Sequence, residues 1–314
     1  MAILEREAGA ARRTRRRPLS VLLNDEKWLG RLMLAPAILY IVLLVGVPFF
    51  LALYYSVSDI TLGSQSLRFV GFKNYAAVIE TTKFRAALKN TFVFAVLSQV
   101  IVMVLGNVLA LLLQRSFRGK WLVRFLLLLP WVAPISLGTI GWLWILDSTY
   151  SVINWTFQAL GLVPPEGGFM WLGVPYLAMG SIITIHVWRI LPLATVVILA
   201  GLSAIPQEIH DAAAVDGAGP WRKHFLITLP LVQPVMMVAG LFGLVFAFTD
   251  MIVVYVLTRG GPYDTTQVLA TLAFFTGIAA GDLGEGAAIA LFLFPLLVVA
   301  AVVMLRVARR AEVT

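Results

Sequence analysis

The chain contains no cysteine and only three histidines among 314 residues. Without thiols there is no disulfide framework, no thiolate metal site and no cysteine nucleophile. Charge is scarce as well: 13% of residues are Asp, Glu, Lys or Arg, about half of the ~25% found in a typical soluble domain. His186, His210 and His224 form no paired motif, and neither H-E-x-x-H nor G-x-S-x-G occurs, so the familiar hydrolytic signatures are missing. The phosphate-cradling G-x-x-x-x-G-K-[ST] is missing too. If the chain performs energised work, the nucleotide chemistry belongs to a partner. The expectation is a protein that is not itself an enzyme, has no metal site and binds no cofactor.

What is abundant is apolar surface. Hydrophobic residues make up 60% of the chain and the mean hydropathy is +0.92. One soluble core cannot hide that much, which excludes a soluble enzyme and a disordered protein. Six apolar runs stand out, at 32–55, 92–114, 125–146, 174–202, 231–258 and 286–305. Each has at least 20 residues, enough at about 1.5 Å per residue to cross about 30 Å of hydrocarbon. All are expected as helices, because a lone strand in lipid leaves its backbone unpaired. The predicted fold is all-α, a polytopic membrane protein with six transmembrane helices. A seventh apolar piece, 267–280, is too short to span and reads as an interfacial or re-entrant helix.

Basic residues orient these spans. One face holds both termini and the loops 115–124 and 203–230, and it carries 17 of the 24 Lys and Arg; the opposite loops carry 6. By the positive-inside rule both termini are expected to be cytoplasmic. The net charge of +8 is then mostly a topology signal. The run Arg12-Arg13-Thr14-Arg15-Arg16-Arg17 has no interleaved aromatics, so nucleic acid is not the expected partner. It reads as an anchor beside anionic lipid. The expected organisation is a basic cytoplasmic segment, 1–28, followed by a membrane domain, 29–314.

The most informative stretch is the loop 204–231. Pro206 can open a short helix with Glu208 and Asp211 in its first turns, a favourable place for acids. Ala212, Ala213 and Ala214 give it a smooth side. Gly217 and Gly219 permit a turn at positive φ, and Pro220 suits the start of a second helix that Pro230 is expected to end or kink. The spacing predicts a helix–turn–helix knob projecting into the cytoplasm.

This segment resembles the EAA loop of ABC-transporter permeases, whose usual form is E-A-A-x-x-D-G-A followed by an aromatic and I-x-L-P. Asp211, Ala212, Ala213, Asp216, Gly217, Ala218, Ile227, Leu229 and Pro230 stand at the matching offsets. Asp211 replaces the usual Glu, and the usual Phe is displaced by one, with His224 in its slot and Phe225 next to it. The likeness extends along most of the chain beyond residue 30 and resembles the maltose-type carbohydrate importers. It includes Phe69-Val70-Gly71-Phe72-Lys73-Asn74-Tyr75, Ala87-Leu88-Lys89-Asn90-Thr91, Leu128-Leu129-Pro130-Trp131, Tyr255-Val256-Leu257-Thr258-Arg259-Gly260-Gly261-Pro262 and Gly281-Asp282-Leu283-Gly284. In span five Asp250 takes the place of an acid that the branch often carries at the position of Ile252.

The resemblance implies a type I ABC importer permease fold in the cell membrane. It implies that the loop, with Asp211 as charged contact and Gly217 as turn, seats on a cytoplasmic ATPase dimer. ATP and Mg would be bound by that partner. Two ATPase grooves and one knob per chain imply a second permease subunit, expected to be a paralogue with a self-pair as the alternative, and specificity would rest largely with an extracytoplasmic solute-binding protein. Transport of a sugar or oligosaccharide is expected, with glycerol phosphate or a polyol as the related alternative. An ion-coupled secondary transporter is the reading from another class; no clear internal repeat supports it, and Asp250 is the one acid well inside a span. Polar and aromatic groups inside the spans are the candidates for a translocation path: Gln99, Asn107, Trp142, His186, Arg189, Phe248, Thr249 and Asp250. Packing or a structural ion pair is the competing role for each.

Overall fold

The computed structural model describes residues 26–64, 67–164 and 167–312; the arginine run 12–17 lies outside the described residues. The chain divides into two units, Met1–Ala52 and Leu53–Thr314. In the first, helix α1 (Glu26–Ile41) passes through a π turn (Val42–Gly46) into α2 (Val47–Ser56), whose residues from Leu53 on are counted in the second. Its side chains from Leu32 to Val45 are largely exposed and apolar, a surface stable in lipid rather than in water.

The second unit holds the remaining elements. A two-residue ribbon, β1 (Ser58–Asp59) and β2 (Arg68–Phe69), pairs antiparallel, with Ser58 opposite Phe69. Helix α3 (Lys73–Glu80) leads to the long α4 (Thr82–Gln114), then α5 (Lys120–Val132), α6 (Ile135–Ile145), α7 (Val152–Ala159) and α8 (Pro175–Ser203). The loop hairpin is α9 (Gln207–Val215) and α10 (Pro220–Lys223), followed by a π turn (His224–Thr228) and α11 (Leu229–Thr249). Last come α12 (Ile252–Leu257), α13 (Leu269–Phe274) with its π turn (Phe275–Ala279), α14 (Leu283–Leu291) and α15 (Leu293–Glu312).

The core forms where α4 lies along α8 and α11 closes over both. Phe94, Ile182, Ile185 and Ile190 are almost fully buried there, together with Val253, Val254 and Leu269. Small residues set the approach. At Gly106 an added Cβ would stand 3.5 Å from side chains of Ala194 and Ile198, so α4 and α8 touch near their backbones. At Gly243 an added Cβ would overlap the Gln99 carboxamide, which brings α11 equally close to α4.

Several expected spans have other bounds. Among the described residues, five helices are long and apolar enough to cross a membrane, six if one bent pair counts as a span. The bent pair corrects the expectation of a continuous helix over 125–146: α5 and α6 meet at 97°. Pro134 is the cause. It has no N–H to continue the helix and drives Ala133 out of the helical region, to φ −64°, ψ 140°. Span two starts ten residues before 92, because Thr81 caps α4 by accepting the Phe84 N–H at 3.2 Å. Span five, expected as 231–258, is interrupted after Thr249. Nor does Pro230 end its helix: the chain stays helical from Pro220 to Thr249, because a proline in the first turn of α11 removes no bond that the preceding π turn needs. The short apolar piece is Leu269–Ala279. Leu269, Thr271 and Leu272 are buried, so it packs inside the bundle.

Asparagines and a threonine of the loop motifs act as staples. The Asn74 amide donates to the carbonyls of Ser56 and Ser58 at 3.0 and 2.9 Å. The Asn90 amide donates to those of Thr265 and Gln267 at 2.9 and 3.0 Å, and Thr91 Oγ1 accepts the Leu269 N–H at 2.8 Å. The tightest backbone-to-backbone approach among the described glycines lies between α14 and the π turn after α13, where a Cβ at Gly286 would overlap the Gly277 backbone and stand 3.1 Å from the Ala273 carbonyl oxygen. Backbone cannot swing aside as a side chain can, so Gly286→Ala is expected to cost at least ~1–3 kcal/mol of overpacking. Size-exclusion after graded heating in detergent checks this: early aggregation is expected for Gly286→Ala and not for Gly141→Ala, whose Cβ would meet nothing within 4 Å.

Candidate functional site

The hairpin is built by local chemistry. Pro206 precedes α9, and Glu208 and Asp211 lie exposed on its first turns, with the Gln207 side-chain amide donating to Asp211 Oδ1 at 2.9 Å. The helix closes in a Schellman arrangement: the Ala218 N–H reaches the Ala213 carbonyl at 2.9 Å, and the Gly217 N–H reaches that of Ala214 at 3.1 Å. This closure needs a left-handed residue, and Gly217 supplies it at φ +71°. Pro220 then opens α10. Lys223 Nζ donates to the His210 carbonyl at 3.4 Å, bridging the two arms. Ala213 is buried against the arm's inner side, Ala218, Ile227 and Leu229 are half-buried, and Ala212, Asp216, Gly217 and Pro230 are exposed. Large apolar groups are also open: Val215 is 87% and Trp221 77% exposed, and Trp221 stacks on Phe225 with centroids 5.9 Å apart and planes 10° apart. A compact knob with small residues, three exposed carboxylates and uncovered aromatics has the makings of a partner surface.

A second centre lies where span five breaks. Asp250 adopts an extended conformation at the end of α11, and its Oδ1 accepts the Val253 N–H at 3.1 Å, capping α12. Its Oδ2 accepts from His186 Nδ1 at 2.7 Å and stands 3.6 Å from Arg189 Nη2. The side chains of His186 and Asp250 are each 1% exposed, and Arg189 is 15% exposed. Irregular backbone at membrane depth is tolerated only where protein covers it; here the break is covered, capped and bolted to α8. Phe94 packs edge-on against the His186 ring at 4.9 Å.

The other expected path residues are distributed unevenly. Gln99 is buried between α4 and the glycines of α11, and Phe248 is buried edge-on to Phe92 at 5.7 Å. Thr249 is exposed, its hydroxyl donating to the Val245 carbonyl at 2.8 Å. Trp142 is half-buried, edge-on to Trp188 at 5.6 Å, and borders a cavity of about 240 Å³ with Trp171, Tyr176, Ser181 and Thr184. Asn107 is half-buried and its amide nitrogen lies 3.2 Å from His224 Nε2. The structure thus brings His186, Arg189 and Asp250 together and leaves Gln99, Asn107 and Trp142 at separate places. Sequence reasoning missed the Asn107–His224 contact; the signal was a histidine in an aromatic slot of a membrane-flanking motif. Among the described residues no group of three or more His, Asp or Glu could hold a metal ion.

The long apolar helices, the broken spans and an exposed helix–turn–helix hairpin define a polytopic helical membrane protein. A solved bacterial ABC transporter involved in import of the acidic polysaccharide alginate has the same fold, with a TM-score of 0.80 over 94% of this chain and 99% of that one, at 21% identity. The family model for binding-protein-dependent transport system inner membrane components matches residues 103–313, and the chain belongs to that family. Among its relatives are the trehalose/maltose transport system permease protein MalF of Thermococcus litoralis, 33% identical over 92% of this chain and 97% of that protein. The sulfoquinovosyl glycerol transport system permease SmoG of Agrobacterium fabrum is 33% identical over 91% and 92%. The diacetylchitobiose uptake permease DasB of Streptomyces coelicolor is 29% identical over 90% and 87%. The chain is therefore the inner-membrane permease component of an ABC importer, a subunit type without an ATPase site of its own.

Proposed function

We propose that this permease imports a sugar or oligosaccharide and is driven by ATP hydrolysed, with Mg, on a cytoplasmic ATPase dimer that grips the hairpin from Gln207 to Lys223. The observation that carries the reading is the hairpin itself, a Schellman-closed knob with exposed Asp211 on a permease fold. Charge on such a knob selects one docking register, and Asp211 is assigned to an arginine or lysine of the ATPase. Each ATPase dimer offers two grooves, so a second permease subunit, a paralogue of this chain, completes the assembly. An extracytoplasmic binding protein delivers the solute, as in the alginate transporter solved with an alginate pentasaccharide-bound periplasmic protein. Both termini lie in the cytoplasm, in line with the basic residues.

The sugar assignment rests on the relatives and on the cavity that Trp142 and Trp171 line together with Ser181 and Thr184. Arg189 is offset by Asp250, so it offers little excess positive charge to a glycerol phosphate, and an uncharged saccharide is favoured. The test is Asp211→Lys in the full complex in proteoliposomes, with radiolabelled maltose as probe. Co-purification of the ATPase and ATP-driven uptake are expected to fall at least about tenfold, while membrane insertion stays normal. Full ATPase retention with normal uptake sinks the docking assignment.

A further inference from the structure

We infer that Asn107 and His224 form a latch that carries movement of the hairpin to span two. The inference rests on the coupling role proposed for the hairpin. His224 is the first residue of the π turn that joins α10 to α11, the point where the second arm of the hairpin enters the membrane domain. Its Nε2 lies 3.2 Å from the amide nitrogen of Asn107 on α4, 117 residues away in sequence. A polar pair joining two helices inside a membrane domain is directional and specific in a way that apolar packing is not.

Three features make the contact a mechanical junction. Asn107 stands next to Gly106, where α4 is in close contact with α8, so a pull on Asn107 acts on a tightly packed helix pair. The Gln114 amide donates to the Leu202 carbonyl at 3.3 Å, tying the cytoplasmic ends of that pair together. On the hairpin side, Lys223 reaches the His210 carbonyl, so both arms move with the residue preceding His224. A π turn holds one residue more than an α turn, and it sits where the aromatic of the usual loop is displaced by one position. The outcome is a division of labour. Phe225 joins Trp221 on the exposed side, while His224 turns inward to a partner that phenylalanine could not bond.

The test uses the assembled complex of this chain with its second permease and ATPase. Because the chain has no cysteine, spin labels on Leu112→Cys and Val299→Cys report span two against span six, both sites being exposed. The distance is measured without nucleotide and after trapping with ATP and vanadate. In the otherwise unmodified chain a shift is expected. In His224→Phe and in Asn107→Leu it is expected to fall to under about a third, with the ATPase still co-purifying, and the exchange Asn107→His with His224→Asn is expected to restore much of it. A full shift in both single variants overturns the latch, as does the absence of any shift in the unmodified chain. Loss of the ATPase from His224→Phe also overturns it, by making His224 a docking residue. Failure of the coupling reading shows separately, as full ATPase retention by Asp211→Lys.

Discussion

Asp250→Leu is expected to leave little assembled permease, and the loss is expected to be reversed by removing its partners as well. In the single variant the Arg189 guanidinium, 15% exposed, keeps its charge without the carboxylate 3.6 Å away, and His186 loses its 2.7 Å acceptor at 1% exposure. Removing one member of a buried ion pair costs about 3–5 kcal/mol, more than many folded domains can lose. The α12 cap at Val253 goes with it, worth about 1 kcal/mol. Asp250→Asn keeps the cap and a weaker bond to His186, so an intermediate loss is expected. The triple variant Asp250→Leu, His186→Phe, Arg189→Leu removes the polar groups together, and buried ionic clusters replaced by apolar residues often regain stability. The measurement is the fraction of each variant surviving graded heating in detergent. Equal survival of Asp250→Leu and the parent chain would show that the centre bears no structural load, and a substrate role for Arg189 would then be the better reading.

Gly217→Pro is expected to abolish transport, by at least about a hundredfold, without preventing insertion. Proline holds φ near −65°, whereas this turn needs +71°. It also removes the N–H that bonds the Ala214 carbonyl at 3.1 Å. The Schellman closure fails on both counts, and the second arm of the hairpin leaves in another direction. Asparagine tolerates the left-handed region better than other residues with a side chain, so Gly217→Asn is expected to keep a substantial part of the uptake. Gly219, two residues on, sits at φ −65° with open space around it, and Gly219→Ala is expected to behave almost as the parent. ATP-driven maltose uptake in proteoliposomes, with ATPase co-purification alongside, checks the series. Uptake by Gly217→Pro equal to that of Gly219→Ala would separate the hairpin from energy coupling.

The hairpin was legible because its instructions are local. Pro206 and Pro220 fix their own φ and limit the residue before them, Gly217 permits the positive φ of the turn, and α9, the turn and α10 form where those residues stand. The buried centre was half legible. His186, Arg189 and Asp250 were recognisable as costly groups inside apolar runs, but the bond between His186 and Asp250 spans 64 residues and depends on how α8 and α11 are rotated about their axes. The fold at Pro134 shows a different limit. A proline announces a bend without stating its size, and the 97° angle comes from what α5 and α6 pack against.

From its own order of residues the chain determined its solvent, its family and the shape of its helix–turn–helix knob. Hydropathy, motif spacing and turn chemistry act over a few residues to a few turns, so they can be read without coordinates. Only the tertiary structure decided which polar groups meet: Asp250 with His186 and Arg189, Asn107 with His224, Gln99 with the glycines of α11. Those pairings are set by helix rotation and approach across dozens of residues. In a bundle whose helix surfaces are nearly uniform in apolarity, the hydrophobic pattern does not specify either quantity.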